Sequence, residues 1–325
     1  MGEVRFGVHD VVNIRFAISP LWETVAGFRA VVDAGRHAIH LPWIKTALAL
    51  EQDRVLAGRT AALRALAPRY GHVLEFLTPP PRCPLAEVEE ELAIMLTTPA
   101  EKIRADLEAA GRQAPLPSFG RRLAEDPERV LPELADAVFA WWQAAVKPYW
   151  PRIRALLEAD IAYRARQLAE DGIQHVFAHL HPTLHWAGDR LVSPDLRSAE
   201  LNLDGAGITL APSVFAARCH LLTGHCATSP AAVYPSRAVG TLWERRDAAG
   251  NGLARLLGRS RAQLLAHTRS PSTTTQLAAR TGLSLGAVSQ HLAVLRDTGL
   301  VTSHRYRREV NYTASDLGIA LLERA

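Results

Sequence analysis

Ser289 and Gln290 stand together in Leu283-Ser-Leu-Gly-Ala-Val-Ser-Gln-His-Leu-Ala-Val-Leu-Arg-Asp-Thr-Gly-Leu-Val301, where apolar residues recur at helical spacing. On the polar face of a helix, a hydroxyl beside a carboxamide can hydrogen-bond the edges of bases. Leu285 and Gly286 lead into that face and Arg296 extends it, with Ser284 at its start and His291 beside it. A face so short-chained at its N-terminal end can sit deep in a major groove. Thr275 and Gln276, in the helical segment just before, are the other polar candidates for a nucleic-acid contact. His304, Arg305, Arg307 and Arg308 then cluster within Val301-Thr-Ser-His-Arg-Tyr-Arg-Arg-Glu-Val-Asn-Tyr-Thr313. Guanidinium groups at the tip of such a segment suit phosphates or an adjacent minor groove.

Two other clusters have the donor types of a metal site. His175, His179, His181 and His185 fall within eleven residues. The first two, four apart, share a face if the segment is helical. No Glu follows His175, so the metalloprotease pattern is absent, and Pro182 separates the second pair. Core or surface histidines are the simpler account. Cys219-His-Leu-Leu-Thr-Gly-His-Cys226 offers two thiols and two imidazoles. Threaded as a hairpin turning at Thr223-Gly224, it puts the cysteines on one face and His220 and His225 on the other, which disfavours one tetrahedral site. Ordinary strand residues are the default there.

Catalysis finds no support. Lys45-Thr46 lacks the glycines of a phosphate loop, Gly205-Ala-Gly207 has no third glycine, and no serine elbow occurs. The chain is expected to be no enzyme and to need no cofactor. All seven tryptophans (22, 43, 141, 142, 150, 186 and 243) lie before residue 250. They suit a helical core, or the wall of an apolar cavity for a small organic effector.

The elements that position these residues can be traced from caps and stops. A helix over Leu253–Thr268 should break near Gly258. Thr273 can cap a second, Thr274–Thr281, stopping at Gly282, and Ser284 can cap a third, running to Thr298 and ending at Gly299. Ala278 is small where two helices would cross, Gly282 supplies a positive φ for the turn, and Val288 packs back between them with Leu292 and Leu295. The alternating segment after Val301 should form a two-stranded wing. Residues 253–325 thus outline a winged helix-turn-helix.

The segment Leu283–Val301 resembles the recognition helix of ArsR-type winged helix repressors. The resemblance implies a homodimer reading an inverted-repeat operator on double-stranded DNA, usually as a repressor released by an effector. Its base-contacting positions fall on Leu285, Gly286, Ser289 and Gln290. Many members carry small polar residues where this chain has Leu285-Gly286, so readout should lean on Ser289 and Gln290. Metal-sensing members carry paired cysteines in the second helix; Thr274–Thr281 has none. A metal-responsive repressor using the upstream His/Cys clusters remains the alternative, as does an enzyme fused to a DNA-binding module. Arg15-Phe-Ala-Ile-Ser-Pro-Leu-Trp-Glu23 and Tyr234-Pro-Ser-Arg-Ala-Val-Gly-Thr-Leu-Trp-Glu244 resemble an uncharacterised domain found ahead of such modules in actinobacterial regulators.

The upstream region shows caps at Thr98-Pro99-Ala100-Glu101 and Asp126-Pro127-Glu128, then a helix over about Pro151–Gly172. Residues 173–243 turn to short apolar runs with Gly, Pro and Ser between them, a β-rich close to the domain. The expected architecture is α+β. A large, mostly helical N-terminal domain (1–247) carries effector and dimer functions, and a winged helix-turn-helix (252–325) follows. The charge divides the same way. The chain's 325 residues carry 37 basic and 33 acidic side chains, net +4. Residues 251–325 alone hold ten arginines and four acids, the footprint of a polyanion-binding module. With 48% hydrophobic residues, no basic-then-apolar leader and no apolar run of spanning length, disorder, export and a membrane are disfavoured. Three cysteines fit a reducing cytoplasm.

Overall fold

The computed structural model describes residues 2–67, 74–81, 83–193, 200–222, 230–243, 250–306 and 309–324. The chain divides into two compact units, Met1–Trp243 and Glu244–Ala325. Residues 244–249, at the expected boundary between the two domains, lie outside the described residues.

The helices of the first unit are α1 (Val8–Val12), α2 (Pro20–Val32), α3 (Leu41–Leu50), α4 (Arg54–Arg59), α5 (Ala61–Leu66), α6 (Val88–Leu96), α7 (Ala100–Gly111), α8 (Ser118–Glu125), α9 (Pro127–Trp141) and α10 (Trp150–Ala178). Its strands are β1 (Gly2–Arg5), β2 (Arg15–Phe16), β3 (His185–Ala187), β4 (Arg190–Ser193), β5 (Glu200–Asn202), β6 (Thr209–Ser213), β7 (His220–Leu222) and β8 (Ala231–Pro235). They form two sheets, ordered β3-β4-β1-β5 and β2-β6-β8-β7. The fold is α+β. The β-rich close of the unit takes in its opening strands as well: β1 runs antiparallel to β4, with Val4 opposite Leu191, and β2 runs parallel to β6, with Phe16 opposite Leu210. A largely helical insertion separates the two halves of each sheet.

Local chemistry accounts for several helix starts. Ser19 accepts a hydrogen bond from the Trp22 N–H at 2.9 Å, with Pro20 in the first turn of α2. Asp126 accepts from the Arg129 N–H at 3.3 Å and starts α9 as expected. Thr98 does not cap α7. Pro99 takes the N-cap with extended geometry (φ −58°, ψ 139°), while the Thr98 N–H is engaged by the Met95 carbonyl behind it. The proline moves the helix start one residue on and leaves Thr98 closing α6. The helix expected from Pro151 does break at Gly172 (φ 78°, ψ 176°), but helical structure resumes and reaches Ala178.

The helical core is aromatic. Trp141 is fully buried and meets Phe28 edge-on at 4.9 Å. The Trp43 indole N–H donates to the Ala145 carbonyl at 3.0 Å, and its ring stacks on Trp243 at 6.0 Å. Buried Asp160 on α10 accepts from the Tyr234 hydroxyl at 2.9 Å and the Arg237 N–H at 3.0 Å, fastening that helix to the end of β8. Two further carboxyls, Glu23 and Glu91, are sealed within this unit. Glu23 accepts from the Val214 N–H at 3.1 Å and Glu91 from the Leu21 N–H at 2.8 Å. Burial pushes each up to about 8, against the hydrogen bonds that favour the charged form.

The second unit comprises α11 (Gly250–Leu257), α12 (Arg259–His267), β9 (Ser272–Thr273), α13 (Thr274–Thr281), α14 (Leu285–Asp297), β10 (Val301–Tyr306), β11 (Glu309–Ala314) and α15 (Asp316–Arg324). Gly258, at φ 84°, divides the first long helix where expected. Leu264, Leu265, Leu277, Val288, Leu292 and Leu295 form a core of their own. Among the described residues of the chain, no helix is long and apolar enough to cross a membrane.

Candidate nucleic-acid interface

The turn between α13 and α14 is built from side-chain caps. Thr273 accepts from the Gln276 N–H at 3.3 Å, and the Gln276 carboxamide oxygen accepts from the Thr273 N–H at 3.0 Å. This reciprocal pair fixes the start of α13. Gly282 closes the helix in the left-handed region (φ 72°), its N–H bonded to the Ala278 carbonyl at 2.9 Å. Two residues on, Ser284 accepts from the Ala287 N–H at 3.3 Å and opens α14. Val288, Leu292 and Leu295 face the core from α14 and are essentially unexposed. Packing that stripe inward leaves the opposite face of the helix in solvent.

That outer face holds the residues singled out in the sequence. Leu285, Gly286, Ser289, Gln290 and Arg296 are exposed, and His291 is half-buried at the edge. Leu285 keeps 54% of its surface exposed. At Gly286 an added Cβ would meet nothing within 4 Å. The fold does not need glycine there, and its effect is to keep the surface flat. Among the described residues Arg296 pairs with its neighbour Asp297, at 3.3 Å in solvent, a contact weak enough to yield to a phosphate. Thr275 is exposed on the first turn of α13. The Gln276 oxygen serves the cap, which leaves its amide nitrogen to donate to a second partner.

Beside the helix pair, β10 and β11 run antiparallel from Val301 opposite Ala314 to Tyr306 opposite Glu309. Strand β9 adds to β11, with Thr273 opposite Asn311. The residue that caps α13 is therefore also a member of the wing sheet, and the hairpin is tied to the turn. His304 and Arg305 are exposed on β10. Arg307 and Arg308 lie outside the described residues.

The other clusters do not assemble in the same way. The rings of His175 and His179 stack at 4.0 Å, and the His179 Nδ1 lies 2.8 Å from the His175 carbonyl. The His181 Nδ1 lies 2.8 Å from the Thr183 hydroxyl. Among the described residues no group of three His, Cys, Asp or Glu side chains is placed to hold a metal. Cys219 is buried and His220 lies against Trp22, ring centroids 5.5 Å apart. Thr223, Gly224, His225 and Cys226 fall outside the described residues.

Two short helices crossing through a left-handed glycine, an outward face of short side chains and an attached hairpin define a winged helix-turn-helix, a module that binds duplex DNA. Residues 263–303 match the family described as bacterial regulatory protein, arsR family. Residues 82–238 match a family of unknown function (DUF5937). The chain thus carries an ArsR-type DNA-binding domain with a domain of unknown function ahead of it, the make-up of a DNA-binding transcriptional regulator. Among solved structures, reduced HlyU from Vibrio cholerae N16961 is 30% identical, covering 24% of this chain and 87% of that one, with a TM-score of 0.21. No curated relative matches the chain.

Proposed function

We propose that the protein acts as a homodimer on an inverted-repeat operator, represses by occluding it, and lets go when the first unit takes up a small organic ligand. The exposed face of α14 carries this reading. Ser289 and Gln290 are exposed and can reach base edges because Gly286 in front of them leaves that turn of the helix slim. Arg305 on β10, with Arg307 and Arg308 following it in the sequence, supplies cationic contacts to the flanking backbone, and His304 a further polar one. Contacts of this second kind place the protein without specifying sequence.

We read the first unit as a sensor rather than an enzyme. Its most strongly perturbed carboxyls, Glu23 and Glu91, are fully buried and so are closed to a substrate. We read its signal as organic rather than metallic because Trp22, Val25 and Phe215 give a pocket in the first unit an apolar wall, as small-molecule sites have. Footprinting of the full chain on its own upstream DNA tests the proposal. Two protected half-sites are expected, centred about 34 Å apart along the helix axis. A single protected half-site would refute the dimer, and uniform protection at every concentration would refute sequence recognition.

A further inference from the structure

The first unit has a cavity of about 510 Å³ beside α2, open to solvent on one side and within the size range of small-molecule sites. Trp22, Val25 and Phe215 supply an apolar wall, and Arg29 and Arg218 contribute guanidinium groups. Arg29 is half-buried, and among the described residues its side chain makes no hydrogen bond and no ion pair. Arg218, exposed at the start of the segment leading into β7, likewise has none. Arg36 also lines the cavity, but it is paired with Asp33 at 3.6 Å. Burial and the like charge of Arg218 both act against the charge on Arg29. A half-buried, unpaired guanidinium with a second one beside it is costly to keep in an empty protein.

We propose that this cavity binds an organic anion: an acidic head group held by Arg29 and Arg218, on a flat apolar body lying against Trp22 and Phe215. Guanidinium groups match carboxylate and phosphate oxygens through paired, charge-assisted hydrogen bonds. A cation meets like charge in the same place, and a neutral molecule leaves both arginines uncompensated. The inference rests on the reading of the first unit as the ligand-binding half and gives that ligand a chemical class. Trp43 and Trp141 are core residues, and of the seven indoles only Trp22 is found among the residues lining this cavity.

Calorimetric titration of the full chain, without DNA, tests the site. The probes are 2-naphthoate, 2-naphthyl phosphate, 2-naphthalenemethanol and 2-naphthylmethylamine, each against wild type, Arg29→Met and Arg218→Met. At least one anion should bind wild type about tenfold or more tightly than the alcohol and the amine, and each substitution should remove that preference. The better of the two acids identifies the head group. Melting of the unliganded variants separates binding from folding. Arg29→Met should hold or raise the melting temperature, because it removes an unpaired, half-buried charge. Equal affinity for all probes, binding of none, or a lower melting temperature with anion preference intact would overturn the proposal. The anion that binds is then added to the operator complex. If it binds the cavity but leaves that complex intact, the anion site stands and the release mechanism fails.

Discussion

At the scale of single residues, the interface depends on what is absent from α14 as much as on what is present. Gly286 has open space around it, so Gly286→Glu should fold as the wild type does. The added carboxylate would meet the phosphate-lined groove, and specific and non-specific DNA binding should both be lost while urea unfolding is unchanged. A parallel fall in stability would show that Gly286 serves the fold. Buried carboxyls in the first unit make a second prediction. Glu23 and Glu91 hold their protons to about pH 8 when folded, whereas unfolded they would lose them near 4.5. Between those values the folded chain binds more protons than the unfolded one. Stability therefore falls as pH rises through that window, by up to about 1.4 kcal/mol per pH unit for each group. Glu91→Gln keeps an acceptor for the Leu21 N–H and removes the titration. Its unfolding free energy should gain on wild type from pH 5 to pH 8, and a constant difference would contradict the assignment.

At the scale of elements, the helix-turn-helix was legible because its determinants are local. Thr273 with Gln276, the positive φ at Gly282, and Ser284 each act within four residues of chain. Removing them should cost accordingly. Thr273→Ala forfeits a capping acceptor, worth about 1 kcal/mol, and Gly282→Ala forces a side chain into the left-handed region at about 1 to 2 kcal/mol. Chemical denaturation followed by circular dichroism reads both, and an unchanged midpoint for Gly282→Ala would mean the turn relaxes. What escaped the sequence is non-local. Thr98 has the right residue type for a cap, yet Pro99 supplies the extended entry itself and shifts the helix start by one residue. The pairing of β1 with β4 and β2 with β6 joins segments nearly two hundred residues apart, which no short-range periodicity encodes. The cavity arginines escaped for the same reason: Arg29 lies on α2 and Arg218 beyond β6, and neither sits in a motif.

At the scale of the whole molecule, the charge division separates the work of the two units. A near-neutral first unit can bury a core and a ligand, while ten arginines against four acids in residues 251–325 bias the second toward DNA. Neutralising about four phosphates per protomer should give log–log salt slopes near −3.6 for each protomer. A slope near zero would exclude backbone contact by the wing. The central claim, that α14 reads bases while the wing holds phosphates, is tested most directly by one competition measurement. Fluorescence anisotropy of the full chain compares the footprinted operator with a scrambled duplex at one salt concentration, for wild type, Gln290→Ala and Arg305→Ala. Gln290→Ala should lose about 1 to 3 kcal/mol of the preference for operator over scrambled DNA, and Arg305→Ala should weaken both duplexes by the same factor. If Gln290→Ala also weakens both equally, with the preference for operator unchanged, α14 does not read the sequence there and the account is wrong.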